Sequence, residues 1–134
     1  MKLQALQNLT KSDHHATPQR VKDYLLESHG IGWDGMFDPC PLNSKFDGLK
    51  ISWKKKNCIN PPYSDIENFM IKCYTEYLEG KENYILFPIS KSDKWYFTTF
   101  LEQFKKDFIY IPFRIQFEGS DNPAFQTHVL VAMK

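Results

Sequence analysis

The four-residue run Asn60-Pro61-Pro62-Tyr63 constrains the fold of this chain more than any other feature. An apolar segment at residues 57–59 precedes it, and residues 65–78 after it carry apolar side chains at helical spacing. Two successive prolines end regular structure, because each has a fixed φ angle and lacks an amide donor. The pattern therefore predicts a strand that ends at Asn60 and a helix that begins just after Tyr63.

The segments on either side predict an alternation of strands and helices. Thr17-Pro18 predicts the start of a helix, with Thr17 as its cap and Gly30 as its stop. Further predicted elements are a short strand at Met36-Phe37, a strand covered on both faces at 84–88, a helix at 93–104, and two β-rich runs at 108–117 and 125–133 around a turn at 119–123. We therefore expect one α/β domain over residues 1–134, with a mostly parallel sheet and a C-terminal antiparallel hairpin.

Composition excludes several classes of protein. The chain has no apolar run of membrane-spanning length, and its amino terminus lacks a signal-peptide layout, so we expect a cytoplasmic protein without membrane association. Its first twelve residues are expected to be flexible. Three cysteines without metal-ligand spacing predict neither a disulfide framework nor a metal site. The formal net charge of +1 implies that any contact with nucleic acid comes from local patches.

The run Asn60 to Tyr63, which we call the proline loop, has the groups needed to activate an aromatic amine. The lone pair of such a nitrogen is delocalised into the ring, so the amine is a poor nucleophile. The side-chain carbonyl of Asn60 and the backbone carbonyl of Pro61 could accept its two hydrogens and draw electron density back onto the nitrogen. Tyr63 offers a ring face for a planar base, which in a duplex would have to be flipped out. Asp38 also follows a predicted strand, so Asp38 and Asn60 should face the same crevice.

Motifs along most of the chain carry a resemblance. They run in the order Thr17-Pro18, Phe37-Asp38-Pro39-Cys40, Asp47-Gly48-Leu49, Ser52-Trp53, Asn60 to Ser64, Leu86-Phe87-Pro88 with Trp95, and Arg114-Ile115-Gln116-Phe117. In this order the chain resembles the phage-type, Dam-like family of DNA adenine-N6 methyltransferases over about residues 13–132. The resemblance implies a reduced Rossmann-like methyltransferase fold, S-adenosylmethionine as cofactor, adenine in DNA as substrate, and a phage or prophage protein in the host cytoplasm.

The resemblance also implies roles for individual residues. The catalytic loop would be Asn60, Pro61, Pro62 and Tyr63. The cofactor would be bound by Thr17, Pro18, Asp38, Pro39, Cys40 and Asp47, and the substrate by Ser64, Lys54, Lys55 and Arg114. The chain departs from the family pattern in having His15 where an aromatic residue is usual and in lacking a glycine-rich cofactor loop. The stretch between Pro41 and Cys58 is also too short for two strand–helix units, since each crossover needs about a dozen residues.

Several alternatives remain open at this point. Asp38 could bind the cofactor or only cap a turn, and Arg114 could pair with a buried carboxylate or contact a phosphate. The lysine run that contains Lys54 and Lys55 is typical of a solvated loop as well as of a phosphate contact. The loop Asn60 to Tyr63 is also compatible with a glutamine methyltransferase, or with an inactive protein that binds nucleic acid or cofactor. Base readout would come from loops 42–52 or 119–126, and dimerisation is a further hypothesis.

Overall fold

The computed structural model describes residues 15–117 and 126–134. The first twelve residues, for which we predicted flexibility, and the predicted turn at 119–123 lie outside these ranges. Within the described ranges no helix combines the length and the apolar character needed to cross a membrane.

A four-stranded mixed sheet forms the centre of the molecule. Its strands are β1 (Lys56–Ile59), β2 (Glu82–Pro88), β3 (Phe108–Tyr110) and β4 (His128–Met133), in the spatial order β1-β2-β4-β3. β1 and β2 are parallel, whereas β4 is antiparallel to both of its neighbours. On the outer side of β1, Phe37 forms a single parallel bridge with Asn57.

The mixed α/β class is confirmed, but the expectation of a mostly parallel sheet is wrong. The predicted antiparallel pairing of the two C-terminal segments is present, but β4 lies inside the sheet and not at its edge. Because β4 runs between β2 and β3 in the opposite direction, it makes both of its pairings antiparallel. At the other edge, the predicted strand at Met36-Phe37 contributes only the one bridge.

Helix α1 (Gln19–His29) covers one face of the sheet. Val21 and Leu25 point inward, and Gly30 ends the helix with a φ of +66°, a left-handed conformation that glycine adopts without strain. The predicted cap is wrong, because Pro18 occupies the cap position and no side chain caps the helix. The Thr17 hydroxyl has a different partner, Asn60.

Helix α2 (Ile66–Leu78) covers the other face and starts one residue later than predicted. The residues at 93–104 do not form the predicted regular helix. They form a π-helical turn (Phe97–Leu101) followed by a 3₁₀ segment (Glu102–Asp107). The segment is rich in aromatic and β-branched residues, which lose rotamer freedom in an α-helix.

Side chains alternate between two cores, one on each face of the sheet. The α1 core contains Cys58, Tyr84, Leu86, Leu130 and Ala132 from the strands, and the α2 core contains Ile59, Ile85, Phe87, Val129, Val131 and Met133. Residues 84–88 are all buried, which confirms the prediction of a strand covered on both faces. The sheet therefore holds its strand ends rigidly between two packed layers.

Candidate functional site

Asn60 lies at the carboxyl end of β1 with its side chain almost fully buried. Its Nδ2 donates hydrogen bonds to the backbone carbonyl of His15 at 3.1 Å and to Oγ1 of Thr17 at 3.2 Å. The His15 carbonyl can only accept, so the nitrogen of the amide must face it. In the described part of the chain no donor bonds the other atom, Oδ1. The amide is therefore held by its nitrogen, and its oxygen keeps its acceptor capacity.

The two prolines differ in what their carbonyls do. Pro62 has an extended backbone, and its carbonyl accepts the amide of Asp65 at 3.1 Å in the turn Tyr63–Asp65. From the fixed φ angles of the two prolines the sequence predicts that neither carbonyl is captured by a helical turn, and this prediction is wrong for Pro62. Within residues 15–117 and 126–134, no hydrogen bond engages the carbonyl of Pro61. Oδ1 of Asn60 and the carbonyl of Pro61, both on buried residues, are thus two acceptors of the loop without a donor among the described residues.

Tyr63 is held by a histidine that the sequence did not point to. Its hydroxyl lies 3.2 Å from Nε2 of His128, whose Nδ1 lies 3.3 Å from the carbonyl of Gln126. A carbonyl can only accept, so Nδ1 carries the proton and the tyrosine hydroxyl donates to Nε2. Burial lowers the pKa of His128 to about 4 and raises the pKa of Tyr63. The pair is therefore neutral at pH 7.

The register of the sheet explains why His128 reaches this place. It is the first residue of β4 and pairs with Pro88, the last residue of β2. It therefore lies near the carboxyl ends of β1 and β2, the same end of the sheet as Asn60. No motif surrounds it in the sequence, and only the position of β4 next to β2 brings it to the loop. Phe117 continues the cluster, because its ring lies 5.5 Å from the ring of His128 and stacks on His15 at 5.6 Å.

A tight turn at Asp38-Pro39-Cys40 lies beside the proline loop. Oδ1 of Asp38 accepts the backbone amide of Cys40 at 2.9 Å, so Asp38 does cap a turn, as one of the two sequence interpretations held. The thiol of Cys40 donates to the backbone carbonyl of Asn60 at 3.5 Å and ties the two loops together. Burial, with a contribution from Asp38, raises the pKa of Cys40 well above its usual value, so this thiol is not a nucleophile at pH 7.

Two cavities of different chemistry flank this turn. The larger, about 500 Å³, has mostly apolar walls, and the smaller, about 190 Å³, has polar walls. The larger is lined by Pro39, Cys40, Pro41, Ser44, Lys45, Phe46, Asp47, Gly48, Pro62 and Phe69, and the smaller by Ala16, Thr17, Lys22, Trp33, Asp34, Met36, Asp38, Leu42 and Cys58. The structure thus divides the predicted cofactor residues, with Thr17 and Asp38 on one side of the turn and Pro39, Cys40 and Asp47 on the other. Pro18 begins α1.

A chain of contacts holds the loop that forms the wall of the larger cavity. A Cβ atom on Gly48 would collide with the backbone carbonyl of Pro39, so only glycine permits this approach. The carbonyl of Gly48 accepts the indole N–H of Trp53 at 2.8 Å, and the backbone amide of Trp53 donates to Glu76 at 2.6 Å. Glu76 is buried on α2, and the sequence analysis did not single it out. The only signal for it is a charged residue next to an apolar helical face.

The predicted substrate residues are more scattered. Ser64 is exposed beside the proline loop, and Arg114 is exposed on the segment that leads to Phe117. Lys54 and Lys55 lie before the amino end of β1, whereas Asn60 follows its carboxyl end. The four residues of β1 separate the two ends by roughly 13 Å at about 3.3 Å per residue. The structure therefore does not bring these lysines to the loop.

The geometry defines an α/β protein with an acceptor pair at the carboxyl end of a parallel strand, near two separate cavities, one lined by Pro62 and the other by Thr17. Comparisons of the chain with protein-family models, with curated proteins and with solved structures found no match. The assignment of function therefore depends on the residues and contacts of this site.

Proposed function

We propose that this chain is an S-adenosylmethionine-dependent methyltransferase that methylates the exocyclic N6 amine of adenine in DNA, on a reduced Rossmann-like methyltransferase fold. The observation that carries the proposal is the orientation of the Asn60 amide. Two acceptors, the His15 carbonyl and Thr17 Oγ1, hold its nitrogen. Its oxygen has no hydrogen-bond donor among the described residues and follows the carboxyl end of a parallel strand, where ligands of α/β sheets bind.

The acceptor pair matches the chemistry of an aromatic amine. An N6 amine has two hydrogens, and the loop offers Oδ1 of Asn60 and the carbonyl of Pro61. Hydrogen bonds to both would localise the nitrogen lone pair and stabilise the positive charge that develops as the nitrogen attacks a methyl group. Both acceptors are fixed before the substrate arrives, one by two hydrogen bonds and the other by the proline backbone. Little reorganisation would be needed at the moment of reaction.

Tyr63 supports a planar substrate. Its side chain is half-buried, and its hydroxyl is anchored on the neutral His128, so the orientation of its ring is set. A base that stacks on such a ring gains about 1 to 3 kcal/mol. This gain would offset part of the cost of removing the base from a duplex, which is a few kcal/mol. A stacking ring favours adenine over the flexible amide of a glutamine side chain.

The two cavities fit the two ends of the cofactor. The larger cavity, with Phe46, Phe69 and Pro39 in its walls, suits the apolar faces of an adenine ring, and Asp47 at the same cavity could accept hydrogen bonds from ribose hydroxyls. The smaller cavity contains Thr17, Asp38 and the ion pair of Lys22 with Asp34 at 2.7 Å, a combination that suits an amino-acid zwitterion. When bound, S-adenosylmethionine supplies an electrophilic methyl group.

A variant at Asn60 tests the proposal. Purified wild-type protein should transfer tritiated methyl from labelled S-adenosylmethionine to unmethylated DNA. We expect Asn60→Ala to lower kcat by about 10²-fold or more, the scale seen when one preorganised polar group is removed from a transition-state site. Asn68→Ala is the matched control, because Asn68 is exposed and bonds only Asp65 among the described residues. This control should retain the wild-type rate.

Other outcomes would identify the alternatives. Methyl incorporation into protein instead of DNA would indicate a glutamine methyltransferase. Binding of cofactor or DNA without any transfer would indicate an inactive binding protein. Equal rates for the wild type and Asn60→Ala would show that the acceptor pair does not contribute to methyl transfer. Dimerisation stays a hypothesis, and a light-scattering mass of one chain in a fully active sample would contradict it.

A further inference from the structure

Arg20 presents an exposed guanidinium beside the site. It lies in the first turn of α1, three residues after Thr17, and its guanidinium carbon lies 3.9 Å from the centre of the Phe113 ring. A guanidinium that lies over an aromatic ring can still donate hydrogen bonds, because its N–H groups point outward in the plane of the guanidinium itself. A carboxylate in the same part of α1, Asp23, already accepts the side-chain amide of Gln19 at 2.8 Å.

Arg114 extends the same surface. It follows Phe113, and its own side chain is exposed. In the described part of the chain, the ion pairs of acidic side chains involve only lysines, so neither arginine is neutralised by a carboxylate. This geometry answers one question that the sequence left open, because Arg114 does not pair with a buried carboxylate among the described residues.

The segment that carries these groups leads directly to the site. From Phe113 it runs past the bridge between Ile115 and Gln126 to Phe117, which contacts His15 and His128. We call Arg20, Phe113 and Arg114 the arginine strip. Arg20 is three residues from Thr17, which bonds Asn60, and the segment after Arg114 reaches Phe117 beside His128, which bonds Tyr63.

Charge and aromatic character together indicate a nucleic-acid backbone as the partner. Guanidinium groups bind phosphate oxygens with two parallel hydrogen bonds, and the Phe113 ring beneath Arg20 holds that guanidinium in place. The exposed lysines Lys54 and Lys55 lie before the amino end of β1, opposite the end that Asn60 follows, and Lys54 Nζ lies 5.9 Å from the centre of the Phe37 ring. The overall charge of +1 makes a local strip of this kind the main source of attraction.

We infer that the arginine strip, and not the lysine pair at 54 and 55, contacts the phosphate backbone of the DNA strand that delivers its base to Asn60. The inference rests on the proposed function, because it assumes that the substrate is DNA. It assigns Arg20 a role that the sequence analysis did not give it. Of the substrate residues that the resemblance implies, it keeps Arg114 as a phosphate contact and leaves out Lys54 and Lys55.

The test measures how salt affects binding. A fluorescent oligodeoxynucleotide is titrated by anisotropy with full-length protein at several salt concentrations. Each phosphate contact contributes about 0.7 (single strand) to 0.9 (duplex) to the slope of log K against log salt. The double variant R20Q/R114Q should therefore lower the slope by about 1.4 to 1.8, whereas the matched variant K54Q/K55Q should leave it unchanged. R20K/R114K, which keeps both charges, should retain most of the slope.

The outcomes separate this inference from the proposed function. An unchanged slope for R20Q/R114Q, or an equal loss for K54Q/K55Q, overturns the arginine strip even if methyl transfer to DNA is observed. A lower slope only for R20Q/R114Q, with unchanged circular dichroism and melting temperature, supports the strip even if no methyl is transferred. A lower slope for R20K/R114K equal to that of R20Q/R114Q would show that charge is not the cause and would also overturn it.

Discussion

Replacing Glu76 with glutamine should destabilise the protein more than any other isosteric change of a charged group on α2. The carboxylate is 2% exposed and accepts three hydrogen bonds, from the Trp53 amide at 2.6 Å, from Lys81 at 2.9 Å and from Lys72 at 3.4 Å. Burial alone would raise the pKa of Glu76, but these bonds together lower it. The charged form is therefore the one that the fold stabilises.

The expected loss can be worked from these contacts. The glutamine side chain of the Glu76→Gln variant would keep one oxygen for Trp53, but it would leave both lysines without their shared counter-charge. Breaking a fully buried ion pair costs about 3 to 5 kcal/mol, and the lysines are 17% and 19% exposed, so water recovers part of this. We expect a loss of about 2 to 3 kcal/mol. At about 2.1 cal/mol/K per residue, this loss lowers the Tm of 134 residues by about 7 to 11 °C.

Thermal and urea unfolding at pH 7 measure this loss. Glu79→Gln is the control, because Glu79 also bonds Lys81, at 3.3 Å, but is 56% exposed and should matter by less than about 0.5 kcal/mol. The lowered pKa of Glu76 determines how its contribution to stability changes with pH. Its stabilising effect is present above the unfolded value of 4.5 and is lost as the pH falls through the folded value, so the two variants should converge in acid. Equal melting temperatures of the two variants at pH 7 would refute the reasoning.

Two further predictions concern the loops around the site. Gly48→Ala should destabilise the protein by about 1 to 3 kcal/mol and weaken cofactor binding, because the added Cβ would collide with the Pro39 carbonyl. The control Gly35→Ala, whose Cβ would meet open space, should have little effect. Identical affinities of the two variants for the cofactor, measured by calorimetry, would contradict this prediction. The pKa of His128 is lowered to about 4 from 6.5, so its neutral form stabilises the fold above pH 6.5. As the pH falls from 6.5 to 4, the free energy of unfolding should decrease by up to about 3 kcal/mol. Urea titrations should show a smaller loss over this window for His128→Gln, whereas parallel curves would show that His128 is not buried in its neutral form.

The local part of the fold was accessible from the sequence. The prolines after Asn60 predicted the end of β1, and the helical spacing after Tyr63 predicted α2 to within one residue. The apolar run at 84–88 predicted a strand buried on both faces. Residues 93–104 were harder, because aromatic periodicity there is compatible with a helix, whereas the observed backbone is a π-helical turn followed by a 3₁₀ segment.

The sequence by itself determined the loop that carries the acceptors, because two prolines restrict their own backbone whatever surrounds them. Only the tertiary structure decided how that loop is held. Thr17 and Asn60 are 43 positions apart and Tyr63 and His128 are 65 apart, and no local periodicity encodes either contact. Both contacts depend on the order of the strands, above all on the position of β4 beside β2. This position places His128 at the end of the sheet where β1 has its carboxyl end. Strand order is set by the burial of both sheet faces at once, and that is a property of the whole chain.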